Sequence, residues 1–172
     1  MVSFPEGFRL ERLEKRHPRA RFRSGVAEVD RWLARNALQH QKKRLSVTRA
    51  LLDESDGIAG YYTLATGQVS FGDLPPDISG KLPKRNLPVA LLAWLGVASS
   101  YQGRGIGSRL FAQALNDCHS AGETFAFVAV IIDCLNDDAK RFYQRWDFEE
   151  MPGHPYRLFL SARLLEKLVL GR

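Results

Sequence analysis

The 172-residue sequence predicts an α/β sandwich built on a mixed sheet. Three observations predict it. Apolar runs of strand length alternate with runs of helical period. Two of those runs stand shortly before helical segments, residues 89–97 before 108–115 and residues 125–132 before 136–146. Two further strands, residues 47–52 and 58–66, flank Asp53-Glu54-Ser55-Asp56-Gly57, which has the composition of a hairpin loop.

The elements follow in order. Residues 8–23 are rich in arginine and read as an irregular or strand-like start. A helix is expected over about 26–43, because Val26, Val29, Leu33 and Ala37 share a face with Trp32 beside them. Ser24 is its expected N-cap, Glu28 and Asp30 suit the positive end of its dipole, and Lys42-Lys43-Arg44 suit the other end. The hairpin strands come next, with Tyr61 and Tyr62 alternating so that one packs inward and the other faces a cleft. Residues 72–88 carry Pro75, Pro76, Pro83 and Pro88, and a connection of that length implies a function or a small helix. The two strand–helix pairs follow, then a strand at 156–160 and a helix from about residue 162.

Composition sets bounds on this scheme. Residues 1–172 are expected to form a single domain, large enough to bury roughly 70% of its unfolded surface without disulfide or metal staples. Cys118 and Cys134 lack metal-ligand spacing and read as reduced thiols, and the four histidines are scattered, so no metal site is expected. The first residues lack the apolar centre of a signal peptide and no run approaches membrane-spanning length; a cytoplasmic chain off the membrane is expected. The formal charge is +6, concentrated in the first fifty residues. That excess fits a polyanionic partner such as RNA, or a solvated basic face.

The segment Gln102-Gly103-Arg104-Gly105-Ile106-Gly107 carries the most chemistry. A strand, a glycine-rich turn and a helix make a phosphate-binding arrangement, since glycine lets the backbone turn sharply and approach a ligand. The exposed N–H groups of the helix start then face an anion. The spacing fits neither the GxGxxG nor the Walker pattern. It fits Q/R-x-x-G-x-G/A, with Gln102, Gly105 and Gly107, and so resembles the pyrophosphate loop of the GNAT acyl-CoA N-acyltransferases. A second stretch, Asn136 to Phe148, resembles the family's N-x-x-A-x-x-F-Y-x-x-x-G-F segment. Asn136, Ala139 and Tyr143, spaced three and four apart, are expected on one helix face.

The resemblance implies a mostly antiparallel sheet, splayed where the coenzyme enters, and acetyl-CoA as co-substrate with no metal. It implies that Leu95, Val97, Gln102, Gly103, Arg104, Gly105, Ile106, Gly107, Ser108, Asn136 and Ala139 hold the coenzyme. Gln102 is expected to contact phosphate through its backbone; Arg104 either screens phosphate charge or faces water. Tyr143 is implied to be the catalytic acid that protonates the departing thiolate. Phe142 reads as a core aromatic.

Further pieces narrow the resemblance to the toxin branch of bacterial toxin–antitoxin modules. They are Phe22-Arg23-Ser24-Gly25, Val29-Asp30-Arg31-Trp32-Leu33, Ala37-Leu38-Gln39-His40-Gln41 and Gly60-Tyr61-Tyr62-Thr63-Leu64. Members acetylate the aminoacyl group of charged tRNA, pair with a ribbon–helix–helix antitoxin and often dimerise. The chain departs from the branch pattern where Trp94 stands for the usual arginine, Ala98 for aspartate and Asp147 for glycine. The strand at 89–97 has no Asp, Glu or His to serve as base, which favours an acceptor amine of low pKa. Asp133 is the nearest carboxylate candidate in the sequence. A small-molecule or protein amine as acceptor, and a binding module without catalysis, are the alternative readings.

Overall fold

A computed structural model describes residues 2–171. The strands are β1 (Arg9–Arg12), β2 (Val47–Leu52), β3 (Ile58–Ser70), β4 (Asn86–Val97), β5 (Ala129–Asp133), β6 (Glu149–Met151) and β7 (His154–Ser161). The helices are α1 (Ala27–Trp32), α2 (Leu38–Lys42), α3 (Pro76–Ser79), α4 (Ile106–Gly122), α5 (Asp137–Gln144) and α6 (Ala162–Leu170). Strand order is β1-β2-β3-β4-β5-β7-β6, and every pairing with a described register is antiparallel except β4 with β5. No helix of the described residues is long and apolar enough to cross a membrane. Contacts divide the chain into two compact units, one reaching to Ala65 and including Ala93–Ala114, the other made of Thr66–Leu92 and the residues from Leu115 onward.

In the first unit, β2 pairs with β1 and β3, with Thr48 opposite Thr63 and Ala50 opposite Tyr61. The two threonine hydroxyls, both buried, satisfy each other at 2.7 Å. The core gathers Leu13, Phe22, Val29, Trp32, Leu33, Leu52 and Tyr61. Gln41 ties helix to strands: its amide donates to Leu13 O at 2.9 Å and its oxygen accepts from Thr48 N–H at 3.0 Å. Gly96 permits α1 to approach β4, since a Cβ there would sit 2.5 Å from Val29 Cγ1.

The second unit pairs β4 with β5 in parallel, from Val89↔Ala129 to Leu92↔Ile132. That ladder ends at Leu92, whereas β4 runs on to Val97. β7 lies antiparallel between β5 and β6. Val69, Leu74, Leu87, Val89, Ile131 and Phe159 are among its core residues. The proline-rich connection holds the small helix α3, begun by Pro76 at its first position.

Some boundaries differ from the sequence expectation. The helix expected over 26–43 is α1 and α2 joined by a π turn at Leu33–Ala37. Ser24 does not cap it. Its hydroxyl donates to Asp30 Oδ1 at 2.6 Å and accepts from Val26 N–H at 3.1 Å, and Val26 holds the N-cap position. The strand expected at 125–132 begins only at Ala129, because Thr124 and Phe125 N–H groups close the end of α4 on Ala121 O, leaving Phe125 79% exposed. Tyr61 and Tyr62 are both buried, so neither faces an open cleft.

Candidate active site

The glycine loop belongs to the first unit. After β4, residues Ser99–Tyr101 make one 3₁₀ turn and the chain passes through two left-handed residues, Gly103 at φ +76° and Gly105 at φ +77°. A side chain at either position would be strained, and a Cβ built there meets nothing within 4 Å. The loop is therefore bare backbone facing open space. The first helical bond of α4 runs from Arg109 N–H to Gly105 O at 3.2 Å. The N–H groups of Ile106, Gly107 and Ser108 precede it and need an acceptor from outside the helix. The first turn of α4 contains no acidic residue. Backbone donors, dipole and absence of carboxylates fit a pyrophosphate.

The loop is held by side chains from elsewhere in the same unit. Gln102 Nε2 donates to Ser24 O at 2.7 Å and to Val97 O at 3.0 Å. The Gln102 backbone N–H bonds Ser99 O at 3.4 Å, and its side chain braces the loop. Tyr101 donates its hydroxyl to Asp53 Oδ2 at 2.8 Å, which raises the phenol above its ordinary pKa. Its ring meets Phe8 edge-on at 5.4 Å and lies 5.4 Å from the Arg104 guanidinium carbon, so Arg104 rests on an aromatic face. Leu95 and Val97 alternate with Trp94 and Gly96 on β4 and are half-buried. A cavity of about 390 Å³ opens beside the loop, lined in part by Arg21, Arg23, Asp53, Asp56 and Ser99. Its mixed charges give it no clear preference for an anion.

The second motif belongs to the second unit. Asn136 stands at the N-cap of α5 with extended backbone, and its Oδ1 accepts from Ala139 N–H at 2.9 Å. It lies just before the first turn of α5, with Ala139 and Tyr143 four residues apart within the helix. Tyr143 is buried, 7% exposed. Burial pushes its phenol well above the ordinary tyrosine pKa, with the Cys134 thiol contributing in the same direction. Cys134 is half-buried, and burial, then Asp133, push its thiol up to about 11 against the pull of Lys140. Asp133 is committed elsewhere: Arg157 Nε and Nη2 donate to its two oxygens at 2.8 and 3.2 Å. Tyr156 donates to Asp137 Oδ1 at 2.7 Å and Lys140 pairs with Glu150 at 2.5 Å, bracing α5 from the adjacent strands. Local sequence carries no signal for these partners, which come from β6 and β7. Among the described residues no group of three His, Cys, Asp or Glu side chains is arranged to hold a metal ion.

The sequence profile of the acetyltransferase (GNAT) domain matches residues 49–150. The chain is 35% identical over 149 residues to the "tRNA-acetylating toxin" of Mycobacterium tuberculosis, covering 86% of this chain and 88% of that protein. Among solved structures it resembles AtaT complexed with acetyl-methionyl-tRNAfMet, with a TM-score of 0.86 at 24% identity over 94% of this chain and 98% of that one. It also resembles a mutant AtaT toxin bound to the C-terminus of the antitoxin AtaR and acetyl-CoA, with a TM-score of 0.80 at 20% identity over 97% of this chain and all of that one.

Proposed function

Since this chain belongs to the GNAT acetyltransferase family, we propose that it moves an acetyl group from acetyl-CoA to the α-amino group of an aminoacyl-tRNA, as a translation-blocking toxin. The observation that carries the reading is the 35% identity to a tRNA-acetylating toxin over most of both chains. The bare N–H cradle from Gly103 to Ser108 supports a pyrophosphate-bearing donor. The absence of any carboxylate or histidine in β4 supports an amine of low pKa, of which about a tenth is neutral at pH 7.

In this reading acetyl-CoA supplies the activated acyl group. The cradle and the α4 dipole bind its pyrophosphate, and Gln102 holds the loop in register. A backbone N–H of β4, at Leu95 or Val97, hydrogen-bonds the thioester carbonyl and stabilises the charge that develops there. The amine nitrogen bonds to the carbonyl carbon, the carbon–sulfur bond breaks, and sulfur departs as thiolate. Burial keeps the Tyr143 phenol protonated at physiological pH, so it meets the developing thiolate as a donor. The surplus amine proton passes to solvent, and solvent returns a proton to the Tyr143 phenolate.

The AtaT–AtaR complex supports pairing with an antitoxin, and a ribbon–helix–helix protein is the form the proposal gives it. A cytoplasmic site of action and a homodimer belong to the same proposal. A free or protein amine acceptor is the competing reading, favoured by Trp94 and Ala98 in place of the branch's arginine and aspartate. The test is transfer of radiolabelled acetyl from acetyl-CoA to total charged tRNA, with uncharged tRNA and a panel of free amines as controls. Label on charged tRNA alone is expected. Label on a free amine, with none on charged tRNA, would overturn the acceptor assignment.

A further inference from the structure

Trp94, Trp32 and His40 form an aromatic row in the first unit. Trp94 meets Trp32 edge-on, with ring centroids 5.7 Å apart at 65°, and Trp32 lies 5.2 Å from His40. Two backbone features align them. On β4, alternation puts Trp94 on the face of Gly96, the face against which Val29 of α1 packs. On the helix, the π turn Leu33–Ala37 inserts one residue between Trp32 and His40. Eight residues of unbroken α-helix would leave His40 about 80° out of line with Trp32; the inserted residue reduces that to about 20°.

The row is not simply core. Trp32 is buried, but Trp94 and His40 are half-buried and keep part of their surface at solvent. Its electrostatic setting is one-sided. Residues 31–52 contain no acidic side chain. Arg31 and Arg35, one helical turn apart, and Lys42, Lys43 and Arg44 are exposed. A phosphate site alone has no use for stacked rings, and an apolar protein partner has no use for five cations. Half-buried rings beside a mostly basic stretch, with Glu28 the exposed carboxylate of α1, match a single-stranded nucleic acid site, where bases stack and phosphates are neutralised.

The geometry points to Trp94, supported by Trp32 and His40, as the platform that stacks the 3′-terminal base of the RNA acceptor, with Arg31 and Arg35 on its phosphates. This rests on the aminoacyl-tRNA reading above. The terminal nucleotide is singled out because it bears the reacting amine through its ribose, and Trp94 adjoins Leu95, whose backbone is proposed to hold the acyl carbonyl.

The experiment titrates the full chain with two short single-stranded RNAs, one ending in a 3′-adenosine and one ending in an abasic ribose, and follows tryptophan emission. Trp94→Ala is expected to weaken binding of the adenosine-ended RNA about ten- to a hundredfold. It should leave the abasic-ended RNA and acetyl-CoA bound as before. Trp94→Phe, which keeps a ring in the core contact, should retain most of the affinity and fold normally by circular dichroism. With charged tRNA, Trp94→Ala should raise KM far more than it lowers kcat. Equal loss on both RNAs, or no loss on either, overturns the platform. Acetyl transfer to charged tRNA is scored separately with the wild-type chain. Transfer with Trp94-independent RNA binding sinks the platform alone; Trp94-dependent RNA binding without transfer sinks the acceptor reading and leaves the platform standing.

Discussion

Asp147 stands in the left-handed region, at φ +66°, just past the end of α5. A left-handed conformation costs a residue with a Cβ about 1–2 kcal/mol, less for Asp and Asn, whose short polar side chains favour it. Glycine removes that strain and gives back roughly 0.5–1 kcal/mol through its larger unfolded-state entropy. Asp147→Gly should therefore stabilise the fold by at most about 1 kcal/mol. For 172 residues, at about 2.1 cal/mol/K per residue, the unfolding entropy is about 0.36 kcal/mol/K. The expected change in Tm lies between zero and a rise of about 3 °C, read by circular dichroism melting at fixed scan rate. Arg44→Gly, at φ +61° and without Asp's local hydrogen bonding, should gain at least as much. Turnover should be unchanged in both, since the strain lies in the turn after the helix and not in Tyr143. A Tm lowered by 2 °C or more in Asp147→Gly would refute the reasoning and mean that the carboxylate makes a contact worth more than the strain.

Tyr143→Phe should lower kcat about 10²- to 10⁴-fold, the range of general acid catalysis, with the acetyl-CoA affinity by calorimetry unchanged. Gly105→Glu should abolish acetyl-CoA binding, because a carboxylate would stand among the donors of Ile106 to Ser108; titration of the variant checks it. Cys134, with its thiol pushed up to about 11, should have a thiolate fraction of about one in a thousand at pH 8. An alkylating reagent should thus label it about a hundredfold more slowly in the native chain than in urea, by mass spectrometry. The kcat/KM for charged tRNA at saturating acetyl-CoA should rise about tenfold per pH unit below the acceptor's pKa and level off near pH 8; a lysine acceptor would keep rising to about pH 10.

Much of the fold was legible because periodicity is local. The strand at 89–97 and the helix α4 both follow from residues within a few positions of one another. The errors arose where a distant partner decides. Ser24 is a good cap by composition, but Asp30 takes its hydroxyl and shifts the helix start to Ala27. Tyr62 follows the alternation of a half-exposed strand, yet it is buried like its neighbour. The glycine-rich turn was readable locally, although its left-handed residues are Gly103 and Gly105 and Gly107 lies inside α4. The brace from Gln102 to Ser24, 78 positions away in the chain, was not. The aromatic row was also hidden, since its alignment depends on a π turn that no local propensity announces.

The choice of acceptor and the shape of the catalytic machinery constrain each other. β4 carries no ionisable side chain from Asn86 to Val97, and Asp133, the candidate base read from the sequence, is held by both arms of Arg157. A reaction without a base on this strand draws its amine from the neutral fraction already present. At pH 7 that selection costs about 1.4 kcal/mol for an amine of pKa near 8 and about 4.6 kcal/mol for a lysine of pKa near 10.4. The difference of about 3 kcal/mol is more than a hundredfold in rate. A base poised near neutrality would offset it for a lysine, and this strand carries none. The empty strand thus works as a filter. It leaves aminoacyl α-amines reactive and lysines slow, before any contact with the acceptor's side chain or nucleic acid is considered.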